Sequence, residues 1–226
     1  MQLILATKNR GKVVEIEKIL GHQEGDPMGS PLQIQSLHDF PNIPDVVEDG
    51  NTFQENALKK AREISRYCRG VWRYAPILAD DSGIVVPALD GAPGIYSARY
   101  AGPGASDEDN LQKLITEIQQ VPPNERQAHY VCVMALVLPD GREFITEGRC
   151  EGEIILEKRG TGGFGYDPIF YLPELGKTMA EISPHVKNQI SHRGKALTQM
   201  VKILQHVLRA ESAAPLKSKK FHLISG

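Results

Sequence analysis

The chain has 226 residues, enough for one large domain or two small lobes sharing a core. Hydrophobic residues make up 41% and charged residues 24%, ordinary proportions for a soluble globular protein. The formal net charge of −2 provides no global basic field, which argues against a nucleic acid polymer as partner and leaves any anion to local clusters of cations.

Leu3-Ile4-Leu5-Ala6 reads as a short buried strand, and Val13, Ile16 and Leu20 mark one face of the helix after it. Residues 21–31, with Gly21, Gly25, Pro27, Gly29 and Pro31, read as a surface loop, and Leu32 to Leu37 alternates as a second strand. Thr52-Phe53-Gln54-Glu55 matches a capping box, with Phe53, Ala57, Ala61, Ile64 and Cys68 on one helical face. Ile77-Leu78-Ala79 is an apolar strand that runs into Asp80-Asp81-Ser82-Gly83 before Ile84-Val85-Val86 resumes. A helix over 107–121, capped by Ser106, buries Leu111, Leu114, Ile115 and Ile118. Gln127 to Leu138, the Asp140-Gly141 turn and Arg142 to Glu147 predict a hairpin, and Glu153 to Lys158 a further strand ending in glycines 160–165. A last helix, from about Ser191 to Arg209, turns Leu197, Met200, Val201, Leu204 and Leu208 inward. Residues 210–226, with Lys217, Lys219 and Lys220, read as a disordered basic tail. The order predicts an α/β fold with a mixed, elongated sheet flanked by helices, in two lobes with a central cleft.

No apolar run is long enough to span a bilayer, and the N-terminus lacks the charged start and cleavage site of a signal peptide, so no membrane partner is expected. Cys68, Cys132 and Cys150 are far apart and form no CxxC pair. They fit buried thiols in a reducing cytoplasm better than a disulfide framework or a zinc site.

Four segments carry chemistry. Thr7-Lys8-Asn9-Arg10-Gly11-Lys12 sets three cations at a helix N-terminus, where the macrodipole already favours an anion, so it reads as a phosphate cradle. It is not a Walker A loop, because Ala6 stands where the first glycine belongs and Val13 follows the lysine. Taken alone, it reads equally well as a solvated basic turn. Glu48-Asp49 and Asp80-Asp81-Ser82-Gly83 bring carboxylates that repel one another without a counter-ion, a need that Mg²⁺ and substrate phosphates would meet. Neighbours on a strand face opposite ways, so only one of Asp80 and Asp81 should reach the cleft; a polar turn is the alternative. Gly160-Thr161-Gly162-Gly163-Phe164-Gly165-Tyr166-Asp167-Pro168 satisfies GxGxxG by letters but lacks the helix that a dinucleotide site needs. What remains is a glycine-rich loop presenting Phe164 and Tyr166 for base stacking. Lys187 and Ser191-His192-Arg193-Gly194-Lys195 again place cations where a helix starts, a polar hand for a nucleotide.

Together, in this order, the segments resemble the HAM1/RdgB-type inosine triphosphate pyrophosphatase family. The similar strings are TKNRGK (7–12), TFQENALKKA (52–61), LADDSG (78–83), GAPGIYSARYAG (91–102), GTGGFGYDPIF (160–170) and ISHRGKAL (190–197), and the match runs from about residue 2 to about 209. The resemblance implies a homodimer of two-lobed subunits, each with a nucleotide cleft, that hydrolyse ITP, dITP or XTP to monophosphate and pyrophosphate. It gives Thr7, Lys8, Asn9, Arg10, Gly11 and Lys12 to the triphosphate. Glu48 and Asp81 would hold Mg²⁺, with Asp81 also the catalytic base. Ser82 would contact the substrate, Phe164, Gly165, Tyr166 and Asp167 would take base and sugar, and Lys187, His192 and Arg193 would read the purine edge. Asn56 and Lys60, one helical turn apart, would support the metal and phosphate region. Lys8 stands where the family commonly has glycine, and 21–31 is longer than usual. Rival readings are a Maf-like pyrophosphatase, opposed by the Phe164 loop and Ser-His-Arg segment, and a non-catalytic nucleotide sensor, which would not need Glu48 and Asp81.

Overall fold

The apolar start forms β1 (Gln2–Leu5), and helix α1 (Arg10–Gly21) follows it. This is a computed structural model, and it describes residues 2–21, 33–40, 42–68 and 75–213. Next come β2 (Gln33–Ser36), α2 (Phe53–Cys68), β3 (Ile77–Val85) and α3 (Asp107–Ile118). A long hairpin, β4 (Gln127–Val137) and β5 (Glu143–Ile154), precedes the short strands β6 (Phe170–Leu172) and β7 (Lys177–Thr178). Helices α4 (Pro184–Ile190) and α5 (His192–Ala213) close the order. One seven-stranded sheet runs β2-β1-β3-β4-β5-β6-β7. In it β1 is parallel to β2 and β3, and the other pairs are antiparallel. The mixed α/β sheet and the helices over it are as expected.

Alternation along the strands sorts the core into layers. Leu3, Leu5, Leu78, Cys132, Met134 and Leu136 face α1 and α5, where Ile16, Leu197, Met200, Val201 and Leu204 cover them. Ile4, Ala6, Ile77, Ala79, Val131 and Val133 face α2, meeting Ala57, Ala61 and Ile64. A third cluster joins Ile84, Leu111, Leu114, Ile118, Tyr130 and Phe170 around α3, which is the second lobe. The long hairpin β4–β5 runs through both lobes and makes them one sheet. Among the described residues no helix is long and apolar enough to cross a membrane.

The boundaries differ from expectation in instructive places. Asp80 to Gly83 do not turn: β3 continues through them, paired with β4 from Ile77↔Val137 to Val85↔His129. The predicted breaks after Glu147 and before Glu153 are absent, because β5 runs unbroken from Glu143 to Ile154. Gly148 lies inside it for packing: a Cβ there would come within 2.2 Å of the His192 carbonyl, so the glycine lets α5 lie directly on the sheet. Residues 155–158 fall outside β5. Helix α3 ends at Ile118, three residues before the predicted Val121. At Thr52 only half the capping box forms: Thr52 Oγ1 accepts from Glu55 N–H at 3.1 Å, while the Glu55 carboxylate turns to Asn51 N–H at 2.7 Å. Ser106 makes a full box with Asp109. Helix α4 was not foreseen; its seven residues are too few for a periodic signal. Ser191 caps the start of α5 as expected, accepting from Gly194 N–H at 3.1 Å, and also ends α4. Helix α5 reaches Ala213, four residues into the stretch read as a tail. Residues 22–32 of the expected loop and second strand, and 214–226 of the expected tail, lie outside the described residues.

Candidate active site

The strand order turns one way from β1 to β2 and the other way to β3, so the loop leaving β1 opens into a crevice at the switch point. That loop, α2, β3, the Phe164 loop and the start of α5 line one cleft. It holds Thr7, Asn9, Lys12, Glu48, Lys60, Asp81, Ser82, Phe164, Gly165, Tyr166, Asp167, Lys187, His192 and Arg193, fourteen of the residues predicted for the site. Asn56 stands behind Asp81 and supports it. Lys8, Arg10 and Gly11 do not line it. Lys8 turns outward to Asp45, 2.7 Å away, and Arg10 and Gly11 border a separate groove behind Phe164. Gly11 still matters, because a Cβ there would sit 2.8 Å from the Phe164 ring. Asn9 caps α1, its Oδ1 accepting from Lys12 N–H at 3.1 Å.

The carboxylate end is strained by charge. Asp81 is buried and faces α2, where Asn56 Nδ2 donates to Oδ2 at 3.0 Å; the Ser82 N–H donates to Oδ1 at 2.9 Å. Burial, reinforced by the nearby Glu48 carboxylate, pushes the Asp81 carboxyl up to about 6. Glu48 pairs with Lys60, whose Nζ also donates to the Asp80 carbonyl at 2.9 Å. Burial alone would lower Lys60, but Glu48, Asp80 and Asp81 outweigh it and hold the amine charged. Arg99 Nη2 donates to the Glu48 carbonyl at 3.0 Å and fixes that segment against the second lobe. Asp80, one residue from Asp81 on the opposite face, meets Lys12 Nζ at 2.8 Å. Burial would raise Asp80, yet Lys12, Arg193 and Lys60 keep it well below the usual carboxylate range.

At the other end the charges are matched. Lys187 Nζ lies 2.6 Å from Asp167 Oδ2 and 2.8 Å from Glu15 Oε1. Arg193 pairs with Glu15 through Nη1 and donates from Nη2 to Ser82 Oγ at 3.0 Å. Burial alone would lower Lys187, but Asp167 and Glu15 hold it charged. Lys187 and Arg193 both reach over the Phe164 ring, at 4.9 and 5.6 Å from its centroid. His192 stacks on Tyr130 with ring centroids 4.5 Å apart and 10° between planes. Burial and then the cations Arg193, Lys187 and Lys12 push His192 well below its ordinary pKa, so its ring is neutral. Asp167 also accepts from Phe164 N–H at 2.9 Å and Tyr130 O–H at 3.3 Å, while Tyr166 O–H reaches the Ser97 carbonyl at 2.7 Å. These bonds fix the aromatic loop.

Glu15 was not predicted. It sits between Val14 and Ile16, one helical turn from Lys12, and an acid between two apolar residues was the available signal. Tyr130 carried no signal, because it reads as an ordinary apolar position of β4.

A profile of the Ham1 family matches residues 3–203. The chain belongs to the Ham1 family. It is 50% identical over 196 residues to a dITP/XTP pyrophosphatase of Geobacter sulfurreducens, covering 87% of this chain and 92% of that protein. The dITP/XTP pyrophosphatase of Geobacillus kaustophilus is 47% identical over 199 residues, with 88% and 92% covered. Among solved structures, a HAM1 protein from Coxiella burnetii superposes with a TM-score of 0.77 at 39% identity, covering 91% of this chain and 99% of that one. The Staphylococcus aureus Ham1 protein gives 0.74 at 38%, with 93% and 100% covered. In this member of the Ham1 family the fold expected from the sequence is therefore also the fold of its solved relatives.

Proposed function

We propose that this Ham1 protein is a nucleoside-triphosphate pyrophosphatase that converts non-standard purine nucleotides, ITP, dITP and XTP, to the monophosphate and pyrophosphate. The observation that carries the reading is one cleft with a buried carboxylate, Asp81, beside Lys12 at one end and a cation-backed aromatic, Phe164, at the other. The relatives named dITP/XTP pyrophosphatase support the substrate class.

Asp81 and Glu48 suit a divalent cation by their donor chemistry: two carboxylates face one cleft, and burial followed by the repulsion between them raises Asp81. Two carboxylates suffice for a Mg²⁺ ion that keeps water and substrate phosphates in its shell. Glu48 and Asp81 would hold the Mg²⁺, which would supply charge neutralisation for the phosphates and the leaving pyrophosphate. Asp81, held in orientation by Asn56, takes a proton from water. The water oxygen bonds to the α-phosphorus while the bond to the bridging oxygen breaks and pyrophosphate leaves with that electron pair. Lys12 stabilises the departing charge. Lys187, His192 and Arg193 face the keto oxygen at position 6, an acceptor that adenine lacks.

The same reading expects a homodimer in the cytoplasm, on the family resemblance; sedimentation of the purified chain tests the dimer. The activity is tested by a nucleotide panel with Mg²⁺ read by phosphorus NMR. ITP should give IMP and pyrophosphate, and IDP with orthophosphate as first products would overturn the reading.

A further inference from the structure

We propose that Asp80 is a positioning residue that couples the phosphate end of the cleft to its base end by passing its ion pair from Lys12 to Arg193. The inference rests on the reading of the cleft given above, with phosphate at Lys12 and the base at Arg193. Asp80 lies on the face of β3 opposite Asp81, toward α1 and α5, with its side chain only 1% exposed. Its Oδ2 lies 2.8 Å from Lys12 Nζ and 3.7 Å from Arg193 Nε, and accepts from Ser82 O–H at 3.3 Å. The second distance is too long for a hydrogen bond. Asp80 Oδ1 and Arg193 Nε are buried and have no hydrogen-bond partner among the described residues. An unused acceptor and an unused donor thus belong to two opposite charges that already lie side by side.

The two cations differ in freedom. Lys12 lines the cleft with its side chain 15% exposed on a flexible stem, whereas the Arg193 side chain is 2% exposed. A phosphate entering the cleft draws Lys12 Nζ toward itself. Asp80 is then left with the Ser82 hydroxyl and the longer Arg193 contact, and a buried carboxylate that has lost its closest cation is disfavoured. The nearest unused donor is Arg193 Nε, which must move only about 1 Å to reach charge-assisted hydrogen-bond distance. Arg193 is then fixed at three points, Glu15, Ser82 and Asp80, instead of two. Its guanidinium, already near the Phe164 ring, becomes a more rigid platform for the base. Phosphate therefore strengthens base binding, and by linkage the base strengthens phosphate binding equally.

Titration calorimetry on the full chain tests this with two halves of a substrate: inosine, which has no phosphate and no charge, and inorganic pyrophosphate, which has no base. Saturating pyrophosphate should tighten inosine by about fivefold or more in the wild type. In Asp80→Asn that ratio should fall to within about twofold of unity. Arg193→Lys, which keeps the charge but lacks the Nε donor, should lose the ratio in the same way and serves if Asp80→Asn does not fold. A merely structural role for Asp80 would weaken each ligand alone and leave the ratio intact. Independent binding by the wild type, a ratio below one, or an undiminished ratio in Asp80→Asn would overturn the coupling and leave the proposed activity standing. If the wild type bound neither ligand, the reading of the cleft itself would fall, and the coupling with it.

Discussion

The two ends of the cleft handle charge in opposite ways. At the carboxylate end Asp81 and Glu48 are like charges, and burial with their repulsion pushes Asp81 up to about 6. At the base end every ion has a partner: Lys187 bridges Asp167 and Glu15, and Arg193 pairs with Glu15. At the first end Lys60 pairs with Glu48 and Lys12 with Asp80, while Asp81 meets neutral donors, Asn56 and the Ser82 N–H. At the second, each charged side chain named above is paired with an opposite one before any ligand comes. Reactive groups are left poised where chemistry occurs, and recognition groups are fixed where shape is read.

This contrast gives unequal expectations for substitutions. Asp81→Asn keeps the shape but removes the proton acceptor, so kcat for ITP should fall by ~10²-fold or more. Steady-state pyrophosphate release within a few-fold of wild type would show that the strained end is not the reactive one. Arg193→Met removes a charged donor from the base end, so kcat/KM for ITP should fall about 10- to 100-fold while the poor ATP rate stays nearly constant. Equal losses for both nucleotides would mean that Arg193 serves phosphate or structure instead of base choice. Glu48→Gln should raise the Mg²⁺ needed for half-maximal rate by about tenfold, and an unchanged metal titration would remove Glu48 from the metal site.

A smaller effect concerns pH. His192 is neutral in the fold because its pKa is depressed, whereas in the unfolded chain it titrates near 6.5. Its contribution to stability is thus full above about 6.5 and is lost as pH falls below that value toward the folded pKa, by at most ~1.4 kcal/mol per pH unit. Denaturant unfolding between pH 7 and 5 should show this slope reduced in His192→Phe, which keeps the stack on Tyr130; equal slopes would mean that His192 charges within the fold. The smallest effect belongs to Lys8→Ala. Lys8 and Asp45 form an exposed pair outside the cleft, so stability should change by less than ~1 kcal/mol and kcat/KM by less than about twofold. A tenfold loss would return Lys8 to the phosphate site.

Much of the site was legible because its residues sit in local contexts that have few alternatives. A cation cluster at a helix start or a glycine-rich loop ending in Asp167-Pro168 can be recognised within a dozen residues. Which cation of a cluster faces the cleft was not legible: Lys8, in the loop before α1, and Arg10 turn away while Lys12 turns in, and helical phase separates the last two. Glu15 escaped because its partners Lys187 and Arg193 come from more than 170 positions away, and charge pairing across such distances leaves no local mark. The unbroken β5 escaped because Gly148 looks like a strand ending until α5 is laid against it.

By itself, then, the sequence determined the alternating elements, the faces that each one buries and the opposite orientation of Asp80 and Asp81, since these follow from the periods of strand and helix. It also carried the Ham1 signature, because long strings in fixed order are a property of the chain alone. Only the tertiary structure decided that one carboxylate is lifted and the other held down, although the two are adjacent and chemically identical. The reason is that burial would raise both carboxyls, and what meets each side chain across the sheet decides the outcome: beside Asp81 the Glu48 carboxylate adds to the rise, while α1 and α5 bring Lys12 and Arg193 to Asp80 and outweigh it.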